Sequence, residues 1–110
     1  GIYKDFSGVV EAVDEGAEIA HALGDKKVAI LQNHGILTTG PSVDIALWFY
    51  MSMERCCQAQ LMAEAAGNPI SVSHETAVKT REFIANDIAA WASYQPAFDK
   101  IVKMQPELLD

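Results

Sequence analysis

Two short runs of branched apolar residues with a polar break between them constrain this chain more than any other feature. Val28-Ala29-Ile30-Leu31 is continuous apolar sequence, as a strand buried on both faces carries, and Ile36-Leu37-Thr38-Thr39 reads as a second strand. Only Gln32-Asn33-His34-Gly35 interrupts a stretch that otherwise belongs in a core. A polar tetrad in that position is either a turn or a site.

Helical patterns flank the strands, which places the chain in the α/β class. Residues 14–23 open on Asp14-Glu15, are rich in Ala, and space Ile19 and Leu23 four apart, with Gly24 where a left-handed C-terminal cap belongs. Ser42 caps the clearest element, a helix running to about Ala66 and stopped by Gly67-Asn68-Pro69. Ile45, Trp48, Phe49, Met53, Cys56 and Met62 recur along it at spacings that predict one broad buried stripe, with Arg55, Gln58 and Glu64 off it. A third helix is expected from a Ser73 cap through about Ala92, with Val78, Ile84, Ile88 and Trp91 inward. From Tyr94 the composition changes, with Pro96 and Pro106, to a tail or arm in which Phe98 to Met104 suits a further helical turn.

Charge and hydropathy exclude several functions. A net charge of -7 repels a phosphate backbone or an anionic membrane surface, and no basic cluster exceeds Lys26-Lys27, so neither nucleic acid nor membrane is an expected partner. The longest apolar run, Ile45 to Met51, falls far short of the roughly 20 residues of a membrane span. Half the residues are hydrophobic, high for a small domain with a fully wet exterior, so part of that surface is expected in an interface. Adjacent Cys56 and Cys57 make a strained disulfide pair and have no other partner, which points to a reducing, cytoplasmic setting. The opening Gly1-Ile2-Tyr3, without an initiator Met, suggests a fragment.

The three histidines are not equivalent. His21, in an Ala-rich helix, and His74, in a first helical turn, read as partly exposed surface residues. His34 sits at the junction of two strands, and Gly35 after it removes a side chain where something can approach. Taken alone, Asn-His-Gly still suits a satisfied core histidine or a turn residue better than a metal ligand. No His-x-x-x-His, Cys-x-x-Cys or His-x-His pairing occurs, so the chain cannot by itself supply the three protein ligands of a catalytic zinc site. Gly-x-Ser-x-Gly, P-loop and dinucleotide fingerprints are also missing. Cys56 and Cys57 suit core packing within a helix better than nucleophilic work.

The run from Gly24 through Gln32-Asn33-His34-Gly35 to Gly40, followed by Ser42 to Phe49 and then Met53 to Gln60, closely resembles the class II aldolase and adducin head-domain family. The resemblance covers about residues 8 to 67, beginning at Gly8-Val9-Val10. It implies an α/β/α sandwich around a mostly antiparallel central sheet, of which this chain would be the helix-rich C-terminal half. Residues 1–93 would then belong to the C-terminal portion of that domain, and 94–110 to a tail or arm. The resemblance further implies oligomers, usually tetramers, with active sites between subunits.

In enzymes of the family three histidines hold zinc or another divalent ion, two from a His-x-His strand and one from the Asn-His-Gly junction, which His34 matches. The His-x-His pair and the acidic general acid/base would precede this chain, so no catalytic or substrate-binding residue is assigned, and the chain alone is expected to hold no metal tightly. The implied function is that of a metal-dependent lyase, aldolase or decarboxylase, acting on a small hydroxy-carbonyl, sugar-phosphate or hydroxy-acid substrate through an enediolate-like intermediate. The alternative is a non-catalytic, adducin-like oligomerisation or interaction domain. Arg81, Trp91 and Tyr94 fall where family tails reach neighbouring sites, but no motif gives them a role.

Overall fold

A computed structural model describes residues 1–4 and 13–109. The beginning of the family resemblance at Gly8-Val9-Val10 lies outside the described residues. The elements are β1 (Ile2–Tyr3), α1 (Val13–Leu23), β2 (Val28–Leu31), β3 (Gly35–Thr38), α2 (Val43–Ala66), α3 (His74–Ile84) and α4 (Asp87–Met104), followed by a 3-10 turn, Pro106–Leu109.

β2 is the middle strand of the described sheet, parallel to β1 and antiparallel to β3. Because side chains alternate along a strand, the apolar run of β2 serves two faces. Leu31 points to the same side as Tyr3 and joins Ile19 of α1 in one cluster, with Ala22 and Leu37 packed against it. Val28 points to the other side, against a cluster of Ile45 and Phe49 of α2 and Ala90 of α4. Ala29 is completely buried. The strand covered on both faces is therefore what the continuous apolar run demanded, and the layers are helix, sheet, helices: an α/β fold.

Specific bonds fasten these layers. Tyr3 Oη donates to Glu18 Oε2 at 3.0 Å, joining β1 to α1. Thr38 Oγ1 donates to the Ala46 carbonyl at 2.9 Å, fixing β3 to the first turns of α2. Lys27 reaches Asp87 in the first turn of α4 at 2.9 Å and lies 5.8 Å from the centre of the Phe49 ring. Asp87 also meets the positive end of its helix there. Gly24 ends α1 with φ +56°, its N–H bonded to the Ala20 carbonyl at 2.9 Å, a conformation that strains any residue with a Cβ.

α2 begins and ends where its caps predict: Ser42 accepts from the Ile45 N–H, and Gly67 follows Ala66. Its apolar stripe is buried only at the near end, however. Ile45 and Phe49 are buried, whereas Met62 is 65% exposed and Cys56 is fully in the exposed class. Periodicity marks a face able to be buried; the described residues supply cover for only the first turns.

The single helix expected over 73–92 is instead two. Asn86 divides them: its amide donates to the Phe83 carbonyl at 2.8 Å, closing α3, and its side-chain oxygen accepts from the Ala89 N–H at 2.8 Å, opening α4. Asn followed by Asp87 is an N-cap and an acidic first position, the sequence signal for this boundary. α4 then continues through Pro96 to Met104, so the proline does not end the helix. The break re-aims the inner face: Ala90 is the buried residue of α4, while Ile84, Ile88 and Trp91 are half or more exposed. No helix among the described residues is long and apolar enough to cross a membrane.

Candidate metal-ligand turn

β2 and β3 are joined by Gln32-Asn33-His34, closed by the Leu31–Gly35 pair. The His34 N–H bonds to the Leu31 carbonyl at 3.0 Å, so residues 31–34 form a tight turn. Asn33 occupies its second central position with φ +61°, and it alone among the described non-glycine residues has a positive φ. A type II turn requires that sign at that position, and Asn is the non-glycine residue that best tolerates it. In the sequence Asn33 stands only as a neighbour of His34; the signal for its own role is the fitness of Asn for the left-handed region.

The turn is anchored beyond its own hairpin. The Gln32 N–H donates to the Tyr3 carbonyl at 2.9 Å, so β1 holds the chain one residue before Asn33. Three strands thus fix the backbone at His34, while its side chain lies in the exposed class. Exposure rules out the core-histidine reading, leaving a turn residue or a ligand. Gly35 is equally informative. Its φ is not in the left-handed region, and a Cβ there would meet nothing within 4 Å. Among the described residues neither conformation nor internal packing requires glycine at this position.

Among the described residues no group of three or more His, Cys, Asp or Glu side chains is placed to hold a metal ion. His34 therefore fits a metal as one ligand of a set, an exposed histidine at a strand end, and not as a centre complete in the described residues. The other histidines do not join it. His21 lines a separate cleft of about 620 Å³ with Tyr3, Lys4 and Glu18, and His74 is exposed at the start of α3. Cys57 is half-buried and Cys56 exposed on α2, in contrast to the packing role expected for both.

The model of the class II aldolase and adducin N-terminal domain matches residues 2–61, a span that contains the whole of this turn and most of α2. Decarboxylase NovR of Streptomyces niveus is 36% identical over 97% of this chain and 40% of its own length. A 4-hydroxy-3-prenylphenylpyruvate oxygenase/4-hydroxy-3-prenylbenzoate synthase of Streptomyces roseochromogenus is 35% identical, with 97% of this chain and 39% of that protein covered. In three dimensions, L-fuculose 1-phosphate aldolase from Glaciozyma antarctica superposes with a TM-score of 0.82 at 35% identity, over 96% of this chain and 40% of the aldolase. The chain thus spans about two-fifths of the length of these relatives. With the match covering more than half of its residues, the chain belongs to the class II aldolase and adducin family.

Proposed function

We propose that this chain is part of a divalent-metal-dependent lyase of the aldolase or decarboxylase type, in which His34 is one of the metal ligands. The observation that carries the reading is the His34 turn: an exposed histidine in a turn tied to its neighbouring strands by backbone bonds, next to a glycine whose Cβ position is open. Relatives named as a decarboxylase and an aldolase support the reaction class. The substrate would be a small hydroxy-carbonyl compound, a sugar phosphate or a hydroxy acid, handled through an enediolate-like intermediate.

A divalent ion, zinc in the first instance, supplies Lewis-acid polarisation of a substrate oxygen when bound. This chain's share is positional. Asn33 sets the turn, the Leu31 carbonyl and Tyr3 carbonyl hold it, His34 offers an imidazole nitrogen, and Gly35 leaves room for substrate. The remaining ligands and the acid/base would come from the rest of the family domain. The reading also takes the protein as a cytoplasmic homo-oligomer, a tetramer in its complete form, with residues 94–110 as a C-terminal arm on a domain portion ending near 93.

The test is metal content and lyase activity of the polypeptide carrying the whole domain, compared with its His34→Ala variant. Loss of bound metal together with activity is expected; unchanged metal content removes His34 from the site. A second reading, a non-catalytic adducin-like interaction domain, is favoured by one observation, that the described residues hold no group of three or more side chains able to bind a metal ion. A whole domain lacking a His-x-His pair would decide for it.

A further inference from the structure

β1 braces the His34 turn with one carbonyl, and the strand is too short to place that carbonyl unaided. It is two residues long and runs parallel to β2, with Ile2 opposite Ile30 and Tyr3 opposite Leu31. The Tyr3 carbonyl accepts from the Gln32 N–H at 2.9 Å, two residues before His34. A slip of one residue would turn the side chains of β1 to the opposite faces and carry this carbonyl about 3.3 Å along the neighbouring strand. In so short a strand the register is set by side-chain packing, not by the few backbone bonds.

Tyr3 supplies that packing. It is buried in one cluster with Ile19 of α1 and Leu31 of β2. Its hydroxyl donates to Glu18 Oε2 at 3.0 Å in a part-buried bond, and Glu18 precedes Ile19 on α1. A hydroxyl on a carboxylate makes a charge-assisted bond, roughly twice as strong as a neutral one, so it fixes the tilt of the ring as well as its depth. Tyr3 is thus held at one end by α1 and holds the turn at the other. Both contacts join residues of this chain that are already packed together, and neither depends on what lies against its open faces.

We infer that Tyr3 is a positioning residue for the His34 ligand: Glu18 fixes the Tyr3 ring, the ring fixes the register of β1, and the Tyr3 carbonyl holds the turn that presents the imidazole. The inference rests on the metal-ligand role proposed for His34 and adds two residues, on another strand and on a helix, that set how well the ligand is placed. Groups bonded directly to a metal ligand typically contribute 10- to 100-fold in affinity. Tyr3 acts one step further out, through Gln32, so its share is smaller, about fivefold.

The experiment uses the full polypeptide and reads its zinc affinity and the visible absorption of its cobalt-loaded form, whose bands report ligand geometry. Tyr3→Phe keeps the buried ring and removes only the hydroxyl; it should weaken zinc binding about fivefold and shift the cobalt bands. Glu18→Ala, at an exposed position, should do the same, and Glu18→Gln, whose amide oxygen still accepts, should restore most of the affinity. Tyr3→Phe combined with Glu18→Ala should lose no more than either alone, because both remove one bond. Zinc affinity and cobalt bands unchanged in Tyr3→Phe, even with a lowered unfolding midpoint, make the bond merely structural and overturn the inference. So do losses that add in the double variant. With His34→Ala losing its metal, these outcomes overturn the positioning role alone. A wild type that binds neither ion, or a His34→Ala variant that keeps its metal, overturns the ligand reading and the inference together.

Discussion

Replacing Asn33 tests whether backbone conformation presents the His34 imidazole. Asn33 has φ +61° in a turn closed by the His34 N–H on the Leu31 carbonyl at 3.0 Å. Holding a residue with a Cβ in the left-handed region costs roughly 1–2 kcal/mol, less for Asn and almost nothing for Gly. Asn33→Gly should therefore leave folding stability within about 0.5 kcal/mol, since relief of strain offsets the greater freedom of the unfolded chain. Asn33→Ala should cost about 1 kcal/mol, and Asn33→Val, with its branched Cβ, about 2 kcal/mol. Urea denaturation followed by circular dichroism measures the series, and zinc affinity of the whole-domain polypeptide gives the functional side. The affinity order should follow the stability order, Gly nearest to wild type and Val weakest. If Asn33→Gly loses as much metal affinity as Asn33→Val, the Asn side chain and not the backbone is responsible, and the argument from the turn is wrong.

Phe49 is 8% exposed in the cluster with Ile45 and Ala90; Phe49→Ala should destabilise by about 3–4 kcal/mol, and Phe49→Leu by about 1–1.5 kcal/mol, in the same denaturation assay. A loss under about 1 kcal/mol for the alanine variant would mean that α2 is not packed on the sheet as described. At Gly24, φ +56° makes Gly24→Ala cost about 1 kcal/mol, read as a lowered thermal midpoint; an unchanged midpoint would place the residue outside the left-handed region. The 110-residue chain, offering only His34 at the turn, should retain no stoichiometric zinc after dialysis, because one imidazole cannot give tight coordination; one equivalent held per monomer through His34 would contradict this.

Local chemistry was legible in the sequence; the covering of surfaces was not. Ser42, Gly67 and Gly24 act on the backbone within a few residues of themselves, and the helix ends lie where they point. The cover on both faces of β2, full at Ala29 and Leu31 and partial at Val28 and Ile30, was legible because a continuous apolar run is unsuited to a strand with one wet face. By contrast, Met62 and Cys56 follow the same helical period as Ile45 and Phe49 yet lie exposed, since periodicity describes a helix and not its neighbours. The Asn86 break lay within an unbroken helical pattern, and it is found by weighing a cap residue against that pattern. Pro96 misled in the opposite direction: it removes one backbone donor, which α4 tolerates where flanking turns continue the helix.

The same division governs the candidate site. A strand–turn–strand is the shortest unit able to hold a backbone rigidly, and everything that sets His34 in place is contributed within this chain: Tyr3 from β1, Leu31 from β2, and the left-handed Asn33 between them. A metal ligand needs such rigidity because a misplacement of even about 1 Å defeats coordination. Within Leu31-Gln32-Asn33-His34-Gly35 the histidine is the one residue of the His, Cys, Asp or Glu type, so the turn itself brings a single such donor. On the function proposed above, one element fixes a single imidazole, and another element, from elsewhere in the family domain, would bring the rest. That is why Asn-His-Gly carries so little meaning as a motif and so much as a position.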